Sequence, residues 1–88
     1  MEDLVSRCLS ELRFQFAECE DITVRLADIS DHLLLYCSFT SRFDGTERRV
    51  SFELGHRNDD PEALKRKMMA AFAEFETYVA RIVRPHGN

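Results

Sequence analysis

Residues 59–84 read DDPEALKRKMMAAFAEFETYVARIVR, the longest stretch of the chain in which apolar side chains recur at regular intervals. The apolar residues are three or four positions apart, which places them on one broad stripe of an α-helix. The stripe consists of Leu64, Met68, Ala71, Phe72, Phe75, Tyr78, Val79 and Ile82. The pattern predicts a long helix that packs on its own domain. A coiled-coil seam is the alternative, since part of the stripe alternates steps of four and three.

Both ends of this helix carry sequence signals. Asp59 or Asp60 is suited to accept a hydrogen bond from the first helical turn. Pro61 fits the first helical position, because its missing N–H is not needed there. If Asp59 is the cap, Glu62 completes a capping box. Pro85 disfavours a helical conformation at the residue before it, so we expect the helix to end there.

A second apolar stripe begins near the N-terminus and is formed by Leu4, Val5, Cys8, Leu9, Leu12 and Phe16. It predicts a helix from Glu2 to about Ala17, with Phe14 lying off the stripe. A helix that ends near Arg13 is the alternative, because apolar residues alternate with polar ones from Leu12 onwards, as they do in a strand.

The segments between the two helices have the composition of β-strands. Residues 22–26 and 50–54 alternate apolar and polar side chains, and residues 33–43 are rich in strand-forming types. Asp44-Gly45 is a strong signal for a two-residue type I′ turn, and a second short turn is centred on Ser30 and Asp31. Three antiparallel strands in a meander follow from these signals.

Turns of this length fix which residues lie opposite each other. The predicted pairs are Leu26–Leu35, Val24–Cys37 and Ile22–Phe39 in the first hairpin, and Leu35–Leu54, Cys37–Phe52 and Phe39–Val50 in the second. All these residues then share one apolar face of the sheet. The apolar stripes of both helices must also be buried, so we expect both helices to pack on that face. The predicted fold class is α+β, with the order α-β-β-β-α and two helices packed on one face of a three-stranded antiparallel meander.

Composition describes one small globular domain. The chain has 88 residues, of which 44% are hydrophobic and 32% charged, and the formal net charge is −4. We expect the domain to span residues 1–84 and residues 85–88 to form a disordered tail. No apolar run is long enough for a membrane span, and the acidic N-terminus differs from a signal peptide. These features predict a cytoplasmic protein without membrane contact.

No pattern in the sequence indicates catalysis, a cofactor or a metal. The three cysteines lack a Cys-x-x-Cys spacing, and Cys8 and Cys37 fall on apolar faces, as buried thiols do. His32 and His56 each lie beside aspartates, but turn chemistry accounts for those residues. No glycine-rich loop could cradle a phosphate. We therefore predict a protein that is not an enzyme and that has no metal or cofactor.

The polar residues that could meet a partner lie on the other face of the sheet and near the start of the last helix. Tyr36 and nearby charged residues belong to the sheet, whereas a run of three basic residues belongs to the helix. The candidate partner surface consists of Arg25, Tyr36, Arg49, Glu53, Lys65, Arg66 and Lys67.

The element order, with both helices on one sheet face, resembles that of the double-stranded-RNA-binding domain. That family places a cluster of lysines at the start of its last helix, near the position of Lys65, Arg66 and Lys67 in this chain. The loop from Ala27 to His32 lacks the Gly-Pro-x-His element of that family. The resemblance implies binding of nucleic acid through the basic run.

The chain also resembles the small acidic chaperones of type III secretion, which share its acidity, its meander and its long amphipathic helix. Small acidic proteins without catalytic motifs, such as many phage-encoded anti-defence proteins, also act as inhibitors of larger machines. Both comparisons imply a protein partner. The function predicted from the sequence is a non-enzymatic protein-binding module, inhibitor-like or chaperone-like, that forms a homodimer. A nucleic-acid-binding module is the alternative.

Overall fold

The computed structural model describes residues 2–84 and contains the predicted elements in the predicted order. Their bounds are α1 Glu2–Gln15, β1 Cys19–Ile29, β2 His32–Ser41, β3 Glu47–His56 and α2 Pro61–Val83. The strands form one antiparallel sheet in the order β1-β2-β3. The predicted α+β class and the α-β-β-β-α meander are confirmed. The expected tail at 85–88 lies outside the described residues.

Both helices cover the same apolar face of the sheet. α1 packs over β1, and α2 packs over β2 and β3, so the buried residues form one core. At its centre Phe39 is fully buried and meets the rings of Phe75 and Tyr78 edge to face, at centroid distances of 5.9 and 5.7 Å. The residues of the possible coiled-coil seam point into this core, so α2 packs on its own domain.

The first hairpin has the predicted register. Leu26 pairs with Leu35, Val24 with Cys37 and Ile22 with Phe39. Its turn residues Ser30 and Asp31 have φ angles of 51° and 70°, the left-handed values that a two-residue type I′ turn requires at both positions.

The predicted register of the second hairpin was wrong by two residues. Cys37 pairs with Val50, and Leu35 pairs with Phe52. The strands are joined by a longer loop, residues 42–46, in which Gly45 adopts a φ of 66° and donates its N–H to the carbonyl of Ser41 at 2.8 Å. A shift of two keeps every side chain on its predicted face, because side chains alternate with a period of two.

The Asp44 side chain makes two contacts in and beside this loop. Its carboxylate accepts the backbone N–H of Thr46 at 2.9 Å and a guanidinium N–H of Arg48, also at 2.9 Å. Asp44 also lacks the positive φ that a type I′ turn requires at both central residues, so the pair Asp44-Gly45 does not form that turn. Beyond this loop, Glu47 lies opposite Thr40 at the start of β3.

α1 ends at Gln15, between the two predicted ends. Phe14 lies off the stripe as predicted and is 92% exposed, whereas Phe16 continues the stripe after the helix and is 1% exposed. Arg84 contacts three residues at this end of α1. It donates to the carbonyl of Gln15 at 2.9 Å and to the carboxylate of Glu18 at 2.6 Å, and its guanidinium lies over the Phe16 ring.

α2 begins without the predicted capping box. Asp60 occupies the N-cap position but makes no side-chain capping bond, and Pro61 is the first helical residue. The carboxylate of Asp59 instead accepts the N–H of His56 at 2.9 Å, and it fills the space where Gly55 lacks a side chain. The turn between β3 and α2 thus depends on a glycine at position 55.

Candidate protein-binding surface

The face of the sheet that the helices leave uncovered carries the polar side chains of all three strands. Because neighbouring strands are in register, these side chains form rows that run across the sheet. The rows are Thr23–Ser38–Arg49, Arg25–Tyr36–Ser51 and Ala27–Leu34–Glu53, with the pair Thr40–Glu47 beyond the first. We call this surface the open face.

Arg25 and Tyr36 form the centre of the open face. The guanidinium carbon of Arg25 lies 5.2 Å from the centroid of the Tyr36 ring, which is a cation–π contact. Arg25 is exposed, and Tyr36 is half-buried in the middle strand. Among residues 2–84, no carboxylate forms an ion pair with Arg25. The central arginine therefore lies against an aromatic ring, and no carboxylate of the described residues pairs with it.

Arg49 behaves differently, because its charge is offset by a neighbour. Its guanidinium lies 2.7 Å from the carboxylate of Glu47, two residues away on the same edge strand. Next to it, the hydroxyl groups of Thr23 and Ser38 share a short hydrogen bond across the first two strands. The row next to Arg25 and Tyr36 is thus polar and close to neutral.

A shallow depression of about 620 Å³ crosses the open face. Its lining residues are Thr23, Arg25, Tyr36, Cys37, Ser38, Glu47, Arg49, Val50 and Ser51. The lining combines aromatic, guanidinium and hydroxyl groups, which can bind a flat surface or an extended segment of another molecule.

Glu53 lies in the outer row of the same face, beside a pair of histidines. Its carboxylate is 3.5 Å from Nδ1 of His32, whose ring meets that of His56 edge to face at a centroid distance of 5.8 Å. Across residues 2–84, no group of three or more His, Cys, Asp or Glu side chains is arranged to hold a metal ion.

The basic run lies apart from the open face, in the helical layer. Lys65, Arg66 and Lys67 are all exposed in the first turns of α2. Consecutive helical residues point about 100° apart, so the three cations diverge. The acidic side chains of Asp3 and Glu62 share a surface groove with Lys65. The structure therefore brings Arg25, Tyr36, Arg49 and Glu53 together and leaves the three helical cations on another surface.

The three cysteines are free and buried. Burial raises the pKa of the Cys37 thiol to about 12, and burial is also the main reason why the pKa values of Cys8 and Cys19 are raised. A thiol with a raised pKa is a poor nucleophile, because the thiolate is the reactive form. These residues act as small apolar side chains of the core.

Sequence reasoning missed two residues that shape the surface. Arg13 of α1 reaches over the free edge of β1 and donates two N–H groups to the carbonyl of Ile22, at 3.2 and 3.1 Å. Only the tertiary arrangement reveals this contact. Leu34 is a half-buried apolar residue on the open face, and its alternation with Tyr36 and Ser38 was the signal that could have placed it.

Neither helix in residues 2–84 combines the length and apolar character that crossing a membrane would require. When the chain was compared with models of protein families, with curated proteins and with solved structures, none of the three comparisons found a match.

Proposed function

We propose that this chain is a non-enzymatic protein-binding module whose open face contacts a larger protein partner. The observation that carries the proposal is the central pair of Arg25 and Tyr36, an exposed cation preorganised on a half-buried ring. Tyrosine and arginine are enriched among the residues that dominate the binding energy of protein interfaces. By occupying a surface of its partner, such a module acts as an inhibitor or as a chaperone.

The rigidity of the open face supports this role. The middle strand is hydrogen-bonded on both sides, and its covered face is packed against α2, so the backbone beneath the open face is held in place by the core. A surface that is already ordered loses less conformational entropy when it binds. The mixture of hydroxyl, aromatic and paired charged groups also matches the composition of a non-obligate interface.

We further propose that the module acts in the cytoplasm as a homodimer. The described chain has three free thiols and no disulfide, which suits a reducing compartment. Its exposed large apolar residues are Phe14, Ile29, Phe43 and Met69, and a second copy would shield some of them. Light scattering at micromolar concentration should give twice the chain mass of 10.3 kDa, and a strictly monomeric mass would exclude the dimer.

The proposal is tested by capture from lysate with matched variants of the immobilised chain. Wild-type protein should retain a partner, which mass spectrometry identifies, and the double variant Arg25→Gln/Tyr36→Ala should lose it. The control is Lys65→Gln/Arg66→Gln, which changes exposed residues of the helical layer and should retain the partner. Loss in the control with retention in the double variant would contradict the proposal.

A nucleic-acid-binding module is the second function to be tested, because Lys65, Arg66 and Lys67 are exposed and none forms an ion pair within residues 2–84. Cations that contact a phosphate backbone make affinity fall steeply with salt. Duplex RNA should then bind at low salt, and the change of all three residues to Glu should abolish binding. No binding at low salt would remove this alternative.

A further inference from the structure

We infer that the open face binds an acidic segment of its protein partner, with a partner carboxylate received by Arg25 beside Tyr36. The inference rests on the proposed function and adds the chemistry of the partner. It follows from the local charge, the orientation of Arg25 and the acidic residues that border the face.

The charge at the centre of the open face is opposite to that of the whole chain. The chain carries a formal net charge of −4, yet Arg25 has no ion-pair partner within residues 2–84. The nearby Arg49 is paired with Glu47 at 2.7 Å, and Glu53 lies in the outer row near His32. Within residues 2–84, Arg25 is therefore the arginine of the open face that no carboxylate pairs with, and an anionic group complements it.

The position of Arg25 favours a carboxylate over a less directional anion. Its guanidinium carbon lies over the Tyr36 ring at 5.2 Å, so the ring restrains the side chain before a ligand arrives. The N–H groups at the guanidinium edge match the two oxygens of a carboxylate. The apolar part of a Glu or Asp side chain can then pack beside the ring, and the Ser51 hydroxyl in the same row offers a further polar contact.

The acidic residues at the border of the open face disfavour binding of a long polyanion. Glu47 and Glu53 lie on β3 on either side of Arg49 and Ser51, so negative charge borders the central row in both directions along the strand. A nucleic-acid backbone, with a phosphate at every step, would meet these carboxylates as well as Arg25. A protein segment with one or two acidic side chains can place them at the centre and present neutral residues to the border.

The test uses a fluorescein-labelled peptide of about six residues, the length of a typical strand, with one central Glu and Ser at all remaining positions. Its anisotropy should rise to saturation with wild-type protein. Arg25→Gln should weaken binding by about tenfold or more, since a charge-assisted hydrogen bond is lost. Arg66→Gln is the matched control, an exposed arginine of the helical layer, and should leave affinity unchanged. Circular dichroism checks that each variant is folded.

Several outcomes would overturn the inference. These are equal binding of a peptide with Gln in place of Glu, no effect of Arg25→Gln, and tighter binding of a single-stranded RNA hexamer or of inorganic phosphate. Loss of a wild-type dimer in Arg25→Gln would assign the surface to a second copy and also overturn it. If a protein is captured through the open face but the acidic peptide does not bind, only this inference fails. If neither binds, the proposed function fails with it.

Discussion

The two faces of the sheet carry opposite chemistry although the same three strands build both. On the covered face, Leu35, Cys37 and Phe39 of the middle strand are at most 2% exposed and belong to the core beneath the helices. On the open face, the alternate residues Tyr36 and Ser38 of that strand meet hydroxyl and guanidinium groups. The covered face carries the packing that stabilises the fold, and the open face is the surface that we propose contacts the partner. Substitutions on the two faces should therefore have separable effects.

The largest effect is expected on the covered face. Phe75→Ala removes a fully buried ring that packs edge to face against Phe39, and should lower the free energy of unfolding by about 3–5 kcal/mol. The matched control is Phe14→Ala, which removes the same ring from a position that is 92% exposed and should change stability by less than about 0.5 kcal/mol. Denaturant melts measure both. Similar losses in the two variants would contradict the described core.

The second effect concerns the end of the sheet where β3 turns into α2. A Cβ at Gly55 would lie 2.6 Å from the Asp59 carboxylate, and the φ of 138° disfavours any side chain. Gly55→Ala should cost about 1–3 kcal/mol. Gly45→Ala is the control, with a φ of 66° but open space around it, and should cost less, about 1 kcal/mol. A larger loss of stability in Gly45→Ala than in Gly55→Ala would show that the Asp59 side chain moves away from the new Cβ at little cost in free energy.

A smaller, pH-dependent effect on stability is expected at the ion pair between Glu18 and Arg84. The hydrogen bond from Arg84 lowers the pKa of Glu18 below its ordinary value. A lowered folded-state pKa contributes stability above the unfolded-state pKa, and the contribution is lost as pH falls through the folded value. Glu18→Gln should thus destabilise the protein at pH 7 and differ less from wild type below the ordinary glutamate pKa of about 4.3.

The control for that prediction is Glu20→Gln, which removes an exposed carboxylate without an ion-pair partner among the described residues. Urea melts at several pH values compare the three proteins. A difference between wild type and Glu18→Gln that does not change with pH would mean that the Arg84 contact contributes nothing through charge.

The smallest effect on stability is expected on the open face. Arg25→Gln changes an exposed side chain whose contact is one aromatic ring, and should shift the unfolding free energy by less than about 0.5 kcal/mol. The same variant should lose partner binding. A stability loss as large as that of Phe75→Ala would mean that the open face is part of the scaffold, and the separation between the two faces would fail.

The sequence determined which face each strand residue occupies, but it determined register in only one hairpin. Burial alternates with a period of two, so it cannot distinguish registers that differ by two residues, and the turn must decide. Ser30 and Asp31 form the expected two-residue turn. Asp44 instead binds Thr46 and Arg48 with its side chain, which is a choice between two local hydrogen-bonding arrangements that the Asp-Gly pair alone does not reveal.

For the candidate surface as well, the sequence predicts which residues share a face but not which residues form pairs. Alternation along the strands placed Arg25, Tyr36, Arg49 and Glu53 on one face, and the structure has them there. The partner of Arg49 could not be predicted, because it depends on the register of β3. Lys65 lies in another layer because the apolar stripe of α2 must face the sheet, which turns the exposed side of the helix away from the open face.

The most direct test of the central claim is an NMR titration of isotope-labelled protein with the captured partner. Side-chain Nε–H signals report each arginine separately, and the Tyr36 ring reports the centre of the open face. We predict that the signals of Arg25, Arg49 and Tyr36 shift or broaden on binding, while those of Arg66 and the Lys65 amide stay in place. Shifts confined to Lys65 and Arg66, with Arg25 and Tyr36 unchanged, would show that the partner binds the helical layer and would contradict the account.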